Sequence, residues 1–182
     1  PITPINDTEY EGDETVVVNL IGDTDYQVGT ANNAQVLIAD NDLPPNTPPV
    51  ATNLTFTQAY TEDIPLDLTN IGITDPDSGD TITVSLQLSH PEAGQLTTDT
   101  VGTTSSTFDP ASGVWQASGA VADINTLLTD VQFVPTENFN GNLTLDTNVS
   151  DGIASPLTGT ISLQGISVND APTVDAIASL TG

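Results

Sequence analysis

The stretch Leu143-Thr144-Leu145-Asp146-Thr147-Asn148-Val149 places an apolar or β-branched side chain on every second residue. This period of two is typical of a strand that buries one face and leaves the other in water. Similar short runs recur along the 182-residue chain, separated by clusters of Gly, Pro, Asn and Asp, which favour turns. We therefore predict an all-β chain, with strands at 15–20, 34–39, 53–58, 64–68, 81–88, 131–134, 143–149 and 158–168.

One helical turn interrupts this pattern. Asp123 is a residue type that favours the helix N-cap, and Ile124, Leu127 and Leu128 follow at spacings of three and four, which predicts a short helix over 123–128. The chain has one Trp and four Phe. Because a buried aromatic ring contributes a large apolar area, Trp115 and Phe133 are predicted to anchor the core.

The charge of the chain excludes several classes of partner. There are 25 acidic residues, no Lys or Arg and one His, for a formal net charge of −25. Nucleic acids and anionic membrane surfaces are recognised through Lys and Arg, so neither is an expected partner, and no apolar run is long enough for membrane insertion. Carboxylates closer than about 10 Å repel one another even in salt. The sequence therefore predicts a divalent cation from outside the chain.

Two similar segments divide the chain. Asn46-Thr47-Pro48-Pro49-Val50 is echoed by Asn169-Asp170-Ala171-Pro172-Thr173-Val174, as in a tandem array of modules. We predict an incomplete first module at 1–42, a Pro-rich linker at 43–49, one complete domain at 50–170 and the start of a following repeat at 171–182. The length of the complete domain suits a single antiparallel β-sandwich of Greek-key, immunoglobulin-like type.

The first module carries two acidic clusters. Asp7-Thr8-Glu9-Tyr10-Glu11-Gly12-Asp13-Glu14 precedes two predicted strands, and Asp40-Asn41-Asp42 follows them. Loops rich in carboxylate oxygens are how calcium sites are built, whereas a solvated acidic turn is the alternative. The stretch resembles the C-terminal part of a Calx-β domain, a calcium-binding module. That resemblance implies calcium ligands at Asp7, Glu11, Glu14, Asp40, Asn41 and Asp42, with Asn41 standing where the family often has Asp.

The complete domain has acidic and turn residues in a fixed order. They are Glu62-Asp63, Asp75-Pro76-Asp77, Asn140-Gly141, Asp151-Gly152 and Asn169-Asp170-Ala171-Pro172. The ordered set resembles the cadherin-like repeats of giant bacterial adhesins. This resemblance implies a cadherin-like sandwich with calcium ligands among these residues.

The direction of the chain assigns these ligands to two ends of the domain. Glu62 and the loop at 75–80 flank one predicted strand, so they are expected at opposite ends. Asp75 and Asp77 then face the upstream junction, where the resemblance implies that Asp151 joins them. Glu62, Asn169 and Asp170 would serve the downstream junction. A solvated Ser-Gly turn is the alternative for the loop at 75–80.

The sequence thus predicts a calcium-binding structural or adhesive module of a large bacterial surface protein, secreted and extracellular, whose partners are neighbouring domains of the array. A self-assembling fibre with other copies and a module for cell-surface polysaccharide are the alternatives. An enzyme is not expected. Asp75 and Asp77 lie too close in sequence for an acid and base pair, and His90 has no Ser or Cys partner at a recognisable spacing.

Overall fold

The computed structural model describes residues 7–69, 71–77 and 79–171. Residues 172–182 of the predicted following repeat therefore lie outside the described residues. The chain divides into two compact units, Pro1–Asn46 and Thr47–Gly182. Strands dominate both units, so the predicted all-β sandwich class is confirmed.

Unit 1 is built on a single antiparallel hairpin in its described part. The strands β1 (Glu14–Asn19) and β2 (Asn33–Ile38) pair with Val16 opposite Val36, within one residue of the predicted bounds. Their apolar side chains are largely exposed, with 61% of Val36 and 62% of Leu37 accessible to solvent. A two-stranded sheet without a covered face is marginally stable in water.

In its described residues, unit 2 contains twelve strands, one α-helix and a short 3-10 helix at Pro91–Ala93. The helix α1 spans Val121–Thr129, and among the described residues no helix is long and apolar enough to cross a membrane. In chain order the strands are β3 (Val50–Thr52), β4 (Phe56–Thr61), β5 (Leu66–Asp67), β6 (Gly72–Thr74), β7 (Ile82–Leu88), β8 (Gly94–Leu96), β9 (Thr100–Val101), β10 (Thr104–Asp109), β11 (Val114–Gly119), β12 (Gln132–Pro135), β13 (Leu143–Ser150) and β14 (Leu157–Ile166).

The strands in the described part of unit 2 form one large sheet and two small ones. The large sheet has the order β4-β14-β13-β7-β11-β10-β9, and the small sheets have the orders β5-β12-β8 and β3-β6. Neighbouring strands are antiparallel, except that β4 runs parallel to β14. One buried core joins apolar side chains of the large sheet, the small sheets and α1.

The core follows the alternation that the sequence predicts. Along β7 the residues Ile82, Val84, Leu86 and Leu88 are buried, while the residues between them are more exposed. Trp115 and Phe133 are both fully buried, which confirms the prediction for these two rings. The Trp115 indole N–H donates to the Thr97 carbonyl at 2.9 Å, so its one polar atom is satisfied inside the core.

Three predicted elements were wrong in their bounds. The strand expected at 53–58 is β4, which begins only at Phe56 because Asn53 adopts a left-handed backbone with φ 59°. The strand expected at 64–68 is reduced to β5, after a second left-handed residue, Asp63, with φ 63°. The helix starts earlier than predicted, with Ala120 at the N-cap. Asp123 therefore lies in its first turn and accepts a hydrogen bond from Thr104 Oγ1 at 3.1 Å.

Candidate metal centre

The loop at 75–80, here called the acidic loop, joins β6 to β7. Asp75 directly follows the last residue of β6, and Asp80 lies two residues before Ile82 at the start of β7. One carboxylate oxygen from each of Asp75, Asp77 and Asp80 lies within 4.8 Å of the other two. All three side chains are half-buried. The acidic loop thus gathers three negative charges at one end of the sheet.

Backbone contacts hold this loop in shape. Asp75 Oδ1 accepts a hydrogen bond from the Asp77 amide at 2.9 Å, and Asp77 Oδ2 accepts one from the Thr47 amide at 2.6 Å. The Asp80 amide donates to the Asp77 carbonyl at 3.4 Å. Gly79 closes the turn with φ +100°, a left-handed conformation that glycine adopts without a steric penalty. The carboxylates are therefore placed by contacts within the loop and by the Thr47 amide.

Two oxygens of the acidic loop have no hydrogen-bond partner within the described part of the chain. Asp75 Oδ2 and Asp80 Oδ2 are shielded from solvent and accept no hydrogen bond from the residues that the structure describes, a situation that costs free energy in a folded protein. Burial raises the pKa of the Asp80 carboxyl, and the negative charges of Asp75, Asp77 and Asp151 raise it further. Because the chain has no Lys or Arg, no basic side chain can balance the loop. A bound cation would satisfy both oxygens and remove the repulsion.

Asp151 lies at the same end of the large sheet. It follows Ser150, which pairs with Thr83 near the start of β7. Its Oδ1 accepts hydrogen bonds from the amides of Ile153 and Ala154 at 2.9 and 2.8 Å. The structure therefore brings Asp151 to the end of the sheet that carries the acidic loop. Its Oδ1 atom stabilises the turn that follows β13.

Glu62 lies at the opposite end of the sheet, where the parallel strands β4 and β14 both stop. The path from Glu62 to Asp75 contains two short strands, β5 and β6, so the expectation of one strand was wrong. Glu62 is 2% exposed. Its Oε2 accepts a hydrogen bond from Asn140 Nδ2 at 2.6 Å, and its Oε1 accepts one from the Val168 amide.

The closing residues of the domain lie next to this carboxylate in sequence. Val168, which donates to Glu62, directly precedes Asn169 and Asp170. Both of these residues are exposed, and Asn169 Nδ2 donates to the Asp170 carbonyl at 3.3 Å. The hydrogen bonds described for Glu62 reach Val168 and not the side chains of Asn169 or Asp170.

The predicted ligands of unit 1 line one concavity of about 150 Å³. Asp40 organises it, because Asp40 Oδ2 accepts the amides of Glu11 and Gly12 at 2.9 and 2.7 Å. The Asp42 amide lowers the pKa of the Asp40 carboxyl most, and the amides of Gly12 and Glu11 lower it further. The charges of Asp7 and Glu14 raise the pKa of Glu11. The concavity contains the predicted residues Asp7, Glu11, Glu14, Asp40, Asn41 and Asp42, together with Glu9.

Two acidic residues near these sites were not among the predicted ligands. Glu9 stands in the same acidic run as Asp7 and Glu11, and its contribution to the concavity could have been expected from that run. Asp80 closes the acidic loop, but the Ser-Gly pair before it pointed equally to a plain turn. The approach of its carboxylate to Asp75 and Asp77 depends on the three-dimensional fold of the loop.

No family model and no curated protein matches this chain. Among solved structures it is similar to an ASH/PapD-like domain of human CEP192 (PapD-like domain 7). The two share 11% sequence identity with a TM-score of 0.35, over 74% of this chain and 96% of that domain. The Calx-β and cadherin-like resemblances stay predictions.

The raised pKa of Asp80 predicts how pH acts on the metal-free domain. Because burial and neighbouring carboxylates raise this pKa above its ordinary value of 3.8, the folded chain binds a proton there more tightly than the unfolded chain. The resulting stability is complete below the unfolded pKa and is lost as the pH rises through the folded pKa. In chelator, Asp80→Asn should therefore gain Tm relative to the parent chain from about pH 4 upward. A Tm difference that is constant across this range would contradict the expectation.

Proposed function

We propose that this chain is a calcium-binding structural and adhesive module of a large extracellular bacterial surface protein, in which calcium stiffens the junctions between domains. The observation that carries the proposal is the acidic loop. Three carboxylates converge there, two of their oxygens are shielded and have no partner among the described residues, and the chain supplies no Lys or Arg.

The donors of the acidic loop favour calcium over other metals. All of them are oxygens, since the chain has no Cys and its one His, His90, lies outside the loop. Thiolates and imidazoles select zinc and copper, whereas carboxylates and carbonyls suit hard cations. Calcium accepts six to eight oxygens in a flexible arrangement, while magnesium demands a near-ideal octahedron. An irregular, half-buried loop therefore suits calcium, with a Kd of about 0.1 to 1 mM as in extracellular modules.

The acidic loop contacts the start of unit 2, and this contact supports a mechanical role. Asp77 accepts the amide of Thr47, the first residue of unit 2. Two prolines come next, Pro48 and Pro49, and each restricts its own backbone. In the proposed function, calcium at the acidic loop fixes Asp77 and thereby the start of the domain. Neighbouring modules of the array are the partners that this stiffening would serve.

Calorimetric titration of matched variants tests the proposal. Asp80→Asn removes one charge from the acidic loop, so we expect calcium affinity at this site to fall about tenfold, equivalent to 1.4 kcal/mol. Asp146→Asn makes the same chemical change on β13, outside the loop, where Asp146 accepts a hydrogen bond from Thr160 that an amide oxygen can also accept. This control should bind calcium like the parent chain. Equal affinities for the two variants would sink the proposal.

A further inference from the structure

Among the described residues, the buried carboxylate of Glu62 is balanced by hydrogen-bond donors. Its two oxygens accept the side-chain amide of Asn140 at 2.6 Å and the backbone amide of Val168. We call these three residues the carboxylate latch. Because Glu62 is 2% exposed and the chain has no Lys or Arg, each donor that leaves the latch leaves a buried carboxylate oxygen without its hydrogen bond.

The turn that carries Asn140 is also clamped through its backbone. Tyr60 Oη donates to the Gly141 carbonyl at 2.6 Å, and Tyr60 itself is buried. On the other side, the Asn140 carbonyl packs against Gly165 so closely that a side chain at 165 has no room. Residue Asn140 as a whole is nevertheless exposed, so water can reach it.

We propose that Asn140 is a deamidation site that the latch protects and whose product opens the latch permanently. Asn140 precedes Gly141 in the single Asn-Gly pair of the chain. Glycine lacks a Cβ, so its backbone nitrogen approaches a neighbouring side chain with the least hindrance. The chemistry requires water alone as co-reactant.

The reaction has two steps. The Gly141 backbone nitrogen attacks Asn140 Cγ, a nitrogen–carbon bond forms, and the bond from Cγ to Nδ2 breaks. Nδ2 departs as ammonia and takes with it the proton that the Gly141 nitrogen loses. Water then opens the resulting succinimide at either carbonyl, which leaves aspartate or isoaspartate at position 140.

The latch slows the first step. Ring closure expels Nδ2 as ammonia, so the hydrogen bond from Nδ2 to Glu62 Oε2 must break in this step. Breaking a hydrogen bond to a buried charged group lowers the rate by about tenfold or more. The hydrogen bond from Tyr60 to Gly141 further restricts the turn. Deamidation therefore reports on opening of this end of the domain.

The product cannot close the latch again. A carboxylate at position 140 has no N–H to donate and places a second negative charge against Glu62. Two carboxylates in one buried site cannot both stay ionised at low cost. Isoaspartate also adds a carbon to the backbone, which moves the Gly141 carbonyl away from Tyr60. Reaction at the Asn140 amide thus loosens the contact between β4 and the segment after β14.

The rate of reaction in two states of the chain tests the protection. The chain is held folded in mildly alkaline buffer and, in parallel, unfolded by guanidinium chloride in the same buffer. Aspartate and isoaspartate at position 140 are counted by mass spectrometry after chymotryptic digestion. We expect Asn140 to be the main site in the unfolded chain and to react at least about tenfold more slowly in the folded chain. Equal rates in the two states, or an unreactive Asn140 in the unfolded chain, would overturn the proposal.

A matched pair of variants tests the consequence. Asn140→Asp imitates the product, while Asn142→Asp adds the same charge two residues away. Asn142 Oδ1 accepts a hydrogen bond from the Gly165 amide at 3.1 Å, which an aspartate can still accept. We expect Asn140→Asp to lower the Tm by about 4 °C or more and Asn142→Asp by less than half as much. Equal losses would show that the latch is not what deamidation breaks.

Discussion

Unit 2 is expected to melt about 10 °C higher in calcium than in chelator. With a Kd of about 0.1 mM and calcium at 100 times that concentration, binding to the folded state alone contributes about 2.7 kcal/mol, which gives a Tm shift of this size for a domain of this length. Trp115 is the single Trp of the chain and is fully buried in unit 2. Its fluorescence therefore follows the melting of this unit.

Two controls separate a calcium site from general screening of the −25 charge. Sodium chloride at matched ionic strength should raise the Tm much less, because it screens exposed charges without coordinating the acidic loop. A variant with Asn at 75, 77 and 80 should lose most of the calcium effect. If this variant gains as much from calcium as the parent chain, the metal site lies elsewhere.

Replacing Ile161 by alanine should destabilise unit 2 by about 2–5 kcal/mol. Ile161 lies in β14, between Leu145 of β13 and Phe56 of β4, and is 1% exposed. Truncating it removes buried apolar area and leaves a cavity between strands that cannot close freely. Denaturation by guanidinium chloride, followed through Trp115 fluorescence, measures the loss.

Ile153→Ala is the matched control for this change. Ile153 is 69% exposed in the turn after β13, so the same truncation should alter stability by less than about 0.5 kcal/mol. If the two alanine variants, at Ile153 and at Ile161, lost similar amounts of stability, this would contradict the assignment of the core to the inner face of β14.

The strands that the sequence predicts well are those whose inward residues are large and apolar. The segment with alternating apolar residues at 143–149 forms β13, in which Leu143, Leu145 and Val149 are buried. The hairpin of β10 and β11 was missed because β10 turns small polar residues inward. Thr104 and Ser106 are both buried there, and the hydropathy of such a strand does not differ from that of a loop. Short edge strands such as β9 leave even less signal.

The candidate site could be predicted only where ligands are close in sequence. Asp75 and Asp77 were expected in one loop, and strand direction placed Glu62 at the other end of the domain, as the sheet order has it. The sequence could not reveal that Glu62 is already held by Asn140 and Val168. These contacts join positions 78 and 106 residues from Glu62, and only the packed sheet brings them together.

Calcium titration followed by two-dimensional NMR locates the ion most directly. The acidic loop is predicted to respond first, so the amides of Asp77, Gly79 and Asp80 should shift and saturate together as calcium is added. The Ser162 amide, in the middle of β14, should stay in place and serves as the internal reference. Magnesium at the same concentration should produce smaller shifts, because the irregular loop does not offer an octahedron. Saturating shifts at Asp77, Gly79 and Asp80 are the predicted result, and a loop that stays unshifted while calcium binds elsewhere would contradict the proposed site.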